Sequence, residues 1–206
     1  MNIVQIREKI PDDIFTTLDL KAHLHAYCNL NDKISSMMHS GEILQIRRGL
    51  YSFPSVLCRE VISSGALANR IYGPSYVSAD FALSYYGLIP ETPTTVTSFT
   101  RGRTREFNTP FGNFTYRYCR SKAYSIGITT VGEGTHRFYI ATPEKALFDK
   151  ISLDSRFDGE DVEAYLYEDL RIDDELMKKF DKKIIAALAP FMRGRMNSLR
   201  KYLEAL

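Results

Sequence analysis

The order of segments between residues 14 and 53 constrains this chain more than any other feature. A short apolar stretch, Ile14–Phe15, precedes a helix start at Thr17. Thr17 is a good N-cap, Asp19 falls in the first turn, and Leu18, Leu20 and Leu24 supply apolar positions. "NLN" at 29–31 breaks that helix, and Asn31 is expected to cap a second one with Ile34, Met37 and Met38 at i, i+3 and i+4. Gly41 is its expected stop. "EILQIRRGLYSF" then alternates, with Ile43, Gln45 and Arg47 on one face and Leu44, Ile46 and Arg48 on the other, as two strands around Arg48-Gly49 would. A further short helix over 3–10 stops at Pro11. Helix, strand, helix, tight turn, helix, hairpin is the order of a winged helix-turn-helix. The second of the paired helices would be the recognition helix and the hairpin the wing.

Charge decides how far a DNA reading can reach. The formal net charge of the 206 residues is +2, so this is not a strongly basic chain. Residues 1–57 hold six basic and six acidic side chains, residues 58–151 eleven and seven, and residues 152–206 ten and twelve. Any nucleic-acid site must be a local cluster on a nearly neutral chain. Hydrophobic residues at 44% allow a buried core. Cys28, Cys58 and Cys119 are widely spaced with no CxxC pair, which suggests neither a disulfide framework nor a cysteine zinc site. The start "MNIVQIREKIPDD" carries charges where a signal peptide would need an apolar run, and the longest apolar run, "IIAALAPFM", is about half a membrane span. These features read as a soluble cytoplasmic protein with no membrane partner.

Three groups of residues carry possible binding chemistry. Arg47 and Arg48 can neutralise phosphates or enter a minor groove, and Tyr51 can hydrogen-bond a phosphate; arginines at a hairpin tip also simply keep an edge soluble. The outward residues of the second helix would include Asn31, Lys33, Ser35, Ser36 and His39, of which Lys and Ser suit phosphates and Asn can read adenine. A solvated helix face is the plain alternative. "RGRTREF" sets Arg101, Arg103 and Arg105 at i, i+2 and i+4, which an extended segment would place on one face as a DNA or partner surface, or as a merely solvated one. "HLHAYC" brings His23, His25 and Cys28 close in sequence, but only His25 and Cys28 have helical reach and no fourth ligand is near, so no metal is expected. There is no GxSxG, HExxH or Walker loop, and Glu144 and Asp149 do not converge on their helix, so no catalytic residue, cofactor or enzyme activity is expected.

Downstream, a helix is expected to end near Gly73, and "SADFALSYYG" at 78–87 is a second, capped by Ser78 and ended by Gly87. "TTVTSFT" reads as a strand. "REFNTPFGNFTYRYCR" forms two arms turning at Pro110–Asn113, and "GITTVGEGTHRFYIA" a hairpin turning at "GEG". "TPEKALFDKISL" opens a helix with Thr142 as N-cap and Pro143 at the first helical position. Residues 158–206 are helical by pattern. The domain boundary falls near 54–60, after Pro54.

Four stretches in order resemble the AbiEi-type antitoxins of type IV toxin–antitoxin systems. They are "RRGLYSFP", "LANRIYGPSYVSADFALSYYGLIPETP", "TREFNTPFGNFTY" and "ATPEKALFDKI", within residues 14–153, and the second is the most specific. The resemblance implies an N-terminal winged helix-turn-helix that binds promoter DNA of its own operon. It also implies a C-terminal domain that counteracts a nucleotidyltransferase-like toxin, without necessarily binding it. By position, Arg47 and Arg48 fall in the wing, and Lys33, Ser35 and Ser36 in the recognition helix. The expected architecture is α+β: a winged helix-turn-helix over 1–57, then a mixed α/β antitoxin domain over 58–206 with C-terminal helices. The alternatives are a stand-alone regulator whose C-terminal half senses a ligand or protein, and a DNA-targeted nuclease.

Overall fold

A computed structural model describes residues 2–24, 29–120 and 122–205. The fold is α+β. Helix α1 (Ile3–Lys9) opens on a capping box between Asn2 and Gln5. Strand β1 (Ile14–Thr16) leads directly into α2 (Thr17–His23). The cap of α2 is Thr16 rather than Thr17: Thr16 Oγ1 accepts from the Leu18 and Asp19 amides, and the Asp19 carboxylate accepts from the Thr16 amide at 2.7 Å. Helix α3 (Leu30–His39) starts one residue before the expected cap, because the extended residue is Asn29, whose Oδ1 accepts from the Asp32 amide. Asn31 therefore lies in the first turn. Ile34 and Met37 are buried, and Gly41 at φ +72° ends the helix in the left-handed conformation that glycine adopts at least cost.

Strands β2 (Leu44–Arg47) and β3 (Leu50–Ser52) turn at Arg48-Gly49, with Gly49 at φ +81°. They join β1 in an antiparallel sheet of order β1-β3-β2, so β3 is central. Both faces of this small sheet are covered. Phe15, Tyr51 and Phe53 pack with Ile6, Leu20, Ile34 and Met37 in one cluster, while Ile14, Ile46 and Leu50 belong to the larger core of the rest of the chain. The strict alternation expected for 43–48 is broken by a bulge between Gln45 and Arg47.

The two clusters meet through polar ties as well. Arg7 donates to Leu57 O at 2.8 Å and to the Asp13 carboxylate, which also accepts from the Arg59 and Glu60 amides. Arg70 donates to Ile14 O at 3.1 Å. Glu60 also accepts from the Thr135 hydroxyl at 2.6 Å, so residues 57–60 are held from both sides.

The second sheet has six strands, β4 (Ser75–Val77), β5 (Thr95–Thr100), β6 (Arg105–Thr109), β7 (Gly112–Tyr118), β8 (Ile128–Val131) and β9 (Phe138–Ala141), in the order β6-β7-β5-β4-β9-β8. The β5–β7 and β4–β9 pairs are parallel and the others antiparallel. Helix α4 (Ser64–Ile71) packs on one face, where Tyr116 OH donates to Ala68 O at 2.6 Å. Helices α5 (Ala79–Tyr85) and α6 (Pro143–Leu153) cover the other, where the Tyr76 hydroxyl donates to Asp149 at 2.9 Å. The tail is four short helices, α7 (Val162–Ala164), α8 (Asp174–Met177), α9 (Lys182–Leu188) and α10 (Met196–Ala205), with a π-wound segment at Tyr165–Asp169.

Two expected caps are only positional. Neither Ser78 nor Thr142 bonds a helix amide through its side chain. Ser78 donates to Asp149 Oδ2 at 2.8 Å, a charge-assisted bond that ties the start of α5 to α6. Lys145 Nζ lies 2.8 Å from Asp149 Oδ1, and both side chains are sealed from solvent. Glu144 takes a different partner, the Asp181 amide at 2.7 Å, which starts α9.

At the other end of α6, Asp154 accepts from Arg156 and from the Tyr165 hydroxyl, with Lys150 at 3.7 Å. The Arg156 hydrogen bond holds its carboxyl well below the usual carboxylate range. A depressed carboxylate stabilises the fold above its unfolded pKa and loses that contribution as pH falls through the folded value. Asp154→Asn is therefore expected to lower stability near neutrality by about 1–3 kcal/mol and to flatten the decline of stability below about pH 4. Urea midpoints measured across pH test this, and parallel curves for the two proteins would contradict it.

Candidate nucleic-acid interface

Helix α3 presents a stripe opposite its buried face. Asn31, Asp32, Ser35, Ser36 and His39 are exposed, at the spacing of one helix side, while Ile34 and Met37 point into the first cluster. Lys33 is half-buried at the edge of the stripe. Two groups are already engaged: the Asn29 amide donates to the Asp32 carboxylate at 2.6 Å, and His39 Nδ1 lies 3.1 Å from Ser35 O. Asn31, Ser35 and Ser36 keep their side chains toward solvent, with groups able to donate to base edges or phosphates.

The β2–β3 turn divides its two arginines. Arg48 is exposed, and no carboxylate pairs with it among the described residues. Arg47 is half-buried and committed: Nε donates to Ile71 O at 2.5 Å and Nη1 to Arg48 O at 2.9 Å. The adjacent bulge accounts for this, since an extra residue twists the strand and re-aims the side chain that follows it. Tyr51 is only 6% exposed and packs against Phe15, because β3 is the central strand and its odd face looks into the first cluster. It is not a surface group, and the expectation that it bonds a phosphate is corrected.

The three arginines of "RGRTREF" do not form one row. Strand β5 ends at Thr100 and β6 begins at Arg105, so 101–104 is a bend rather than an extended run. Gly102 lies so close to Tyr72 that a Cβ there would meet the hydroxyl at 2.4 Å, and the Arg103 amide donates to that hydroxyl at 3.0 Å. Arg101 folds over the Tyr124 ring, 4.9 Å from its centre, and donates to Cys119 O and Arg120 O. Arg103 and Arg105 remain exposed.

The fold instead joins residues from two of the sequence groups. Arg47, Arg48 and Arg105 line one cleft of about 750 Å³, between the β2–β3 turn and the start of β6. Ile71, Tyr72, Gly73 and Phe107 also line it. Among the described residues Glu106 is the single acidic side chain lining it, and Arg117 stands 3.6 Å from its carboxylate. The cleft is open, positively charged and edged by guanidinium groups, which bind phosphate oxygens in a planar fork.

No protein-family model matches the chain, and no curated protein matches it.

Among the described residues, no three or more His, Cys, Asp or Glu side chains are grouped to hold a metal ion. His25 and Cys28 of the "HLHAYC" group lie outside those residues. No helix among them is long and apolar enough to cross a membrane. The buried group of Lys145, Asp149, Tyr76 and Ser78 corresponds to no sequence motif. The i, i+4 spacing of Lys145 and Asp149 was the available signal, but it does not reveal burial.

Proposed function

We propose that this chain is a DNA-binding antitoxin: residues 1–57 act as a winged helix-turn-helix on promoter DNA of its own operon, and residues 58–206 counteract a nucleotidyltransferase-like toxin in the cytoplasm. The observation that carries the DNA reading is the exposed stripe of α3 beside the Arg48 turn, on a helix whose opposite face is anchored by Ile34 and Met37. A helix held in that way can enter a major groove while the turn meets the backbone.

The antitoxin reading rests on the family resemblance of the later stretches. "LANRIYGPSYVSADFALSYYGLIPETP" runs from α4 through β4 and α5, "TREFNTPFGNFTY" builds β6 and β7, and "ATPEKALFDKI" opens α6. They supply three of the sheet's six strands, β4, β6 and β7, and parts of the helices on both its faces. Co-expressing the full chain with the product of the adjacent gene tests this half. Restored growth of cells poisoned by that product is expected, and undiminished toxicity with the chain present in soluble form would contradict it.

A further inference from the structure

We propose that the Arg48–Arg105 cleft is a composite phosphate clamp for duplex DNA, to which the β2–β3 turn and the second sheet each contribute one cation. The inference rests on the DNA reading above and extends the contact surface beyond residues 1–57. Arg48 and Arg105 reach the same open cleft from elements 57 residues apart in sequence, both are exposed, and neither has a carboxylate partner among the described residues. The one acid present, Glu106, has Arg117 beside it, so the cleft keeps its positive sign. At about 750 Å³ it is larger than one phosphate requires, and it is lined from two edge strands, β2 and β6, which suits a backbone carrying phosphates in series.

Arg47 is the positioning residue of this clamp. Its bond to Ile71 O fixes the turn against the end of α4, and its bond to Arg48 O holds the turn in shape. The spacing between Arg48 and Arg105 is then set by a buried-edge contact rather than by a loose hairpin. The clamp reads no bases: guanidinium contacts to phosphate add affinity and orientation on any sequence.

The test is fluorescence anisotropy of the full chain on two probes, a duplex from immediately upstream of its gene and a mixed-sequence duplex, across about 50–200 mM salt. Arg48→Ala and Arg105→Ala should each weaken binding to both probes and lower the salt slope by about one. Per lost contact, the affinity ratio between those two salt concentrations shrinks roughly three- to fourfold. Arg105→Lys should retain the slope, because the charge remains, and Arg105→Glu should lose more than alanine. An unchanged slope for Arg105→Ala with intact binding by the parent chain overturns the clamp and leaves the DNA reading standing. A loss on the upstream duplex alone overturns it as well, since that would be base reading. Failure of the parent chain to bind either duplex overturns both. Matching thermal melts of the Lys, Ala and Glu variants establish that the differences are not unfolding.

Discussion

Asp149→Ala is expected to lower the stability of the chain by about 3–5 kcal/mol, the largest effect of any single change considered for this fold. The carboxylate has three partners: Lys145 Nζ at 2.8 Å, the Tyr76 hydroxyl at 2.9 Å and the Ser78 hydroxyl at 2.8 Å. Removing it leaves a cation with no anion in a site closed to water, and two hydroxyls without an acceptor. The Phe148 and Tyr76 rings, 4.7 and 5.7 Å from Nζ, offset only part of that cost. Burial itself pushes the Asp149 carboxyl upward, against the pull of Lys145, so the pair persists through mutual geometry and not through low cost. A double variant, Lys145→Met with Asp149→Asn, removes the buried cation and keeps an acceptor for the hydroxyls. It should recover most of the loss. Urea denaturation of the three proteins decides the matter, and an Asp149→Ala midpoint close to the parent's would sink the argument. The network also matters for shape, because Ser78 sits at the β4–α5 junction, where Ala79 is held at φ +51°.

The second large effect concerns binding. Ser35→Glu combined with Ser36→Glu places two carboxylates in the exposed stripe of α3, on the side away from Ile34 and Met37. If that stripe enters the major groove, the new charges meet phosphate on both walls. Affinity for the upstream duplex should then fall toward the non-specific level, about 10³-fold. The same substitutions are on the surface and should change stability by no more than about 0.5 kcal/mol. Unchanged affinity in the folded double variant would remove α3 from the interface.

Local chemistry was legible in the sequence wherever a residue imposes backbone geometry. Gly41, Gly49 and Gly87 stand at φ +72°, +81° and +74°, where turns or helix ends were expected. The β6–β7 and β8–β9 pairs are antiparallel, as expected of the two arms of "REFNTPFGNFTYRYCR" and of the hairpin at "GEG". The caps of α2 and α3 slipped by one and two residues, because Thr16 and Thr17, and Asn29 and Asn31, have equally capable side chains, and only the extended backbone selects between them. What depends on long-range pairing was not legible. The addition of β1 to β3 turns Tyr51 inward, and the bulge at Gln45–Arg47 turns Arg47 toward Ile71. The parallel β5–β7 pairing and the Tyr72 contact of Gly102 bend the arginine run, so that Arg105 meets Arg48 instead of Arg101. No periodicity within either segment contains that meeting.

If α3 and the β2–β3 turn bind promoter DNA, the full chain must prefer that DNA over other sequences. The most direct measurement is the ratio of dissociation constants of the unmodified full chain for the duplex upstream of its gene and for a scrambled duplex of equal length and composition, at one stated salt concentration. The account predicts preference for the upstream duplex by about 10³-fold or more. Equal affinity for the two, or no binding to either, would contradict it.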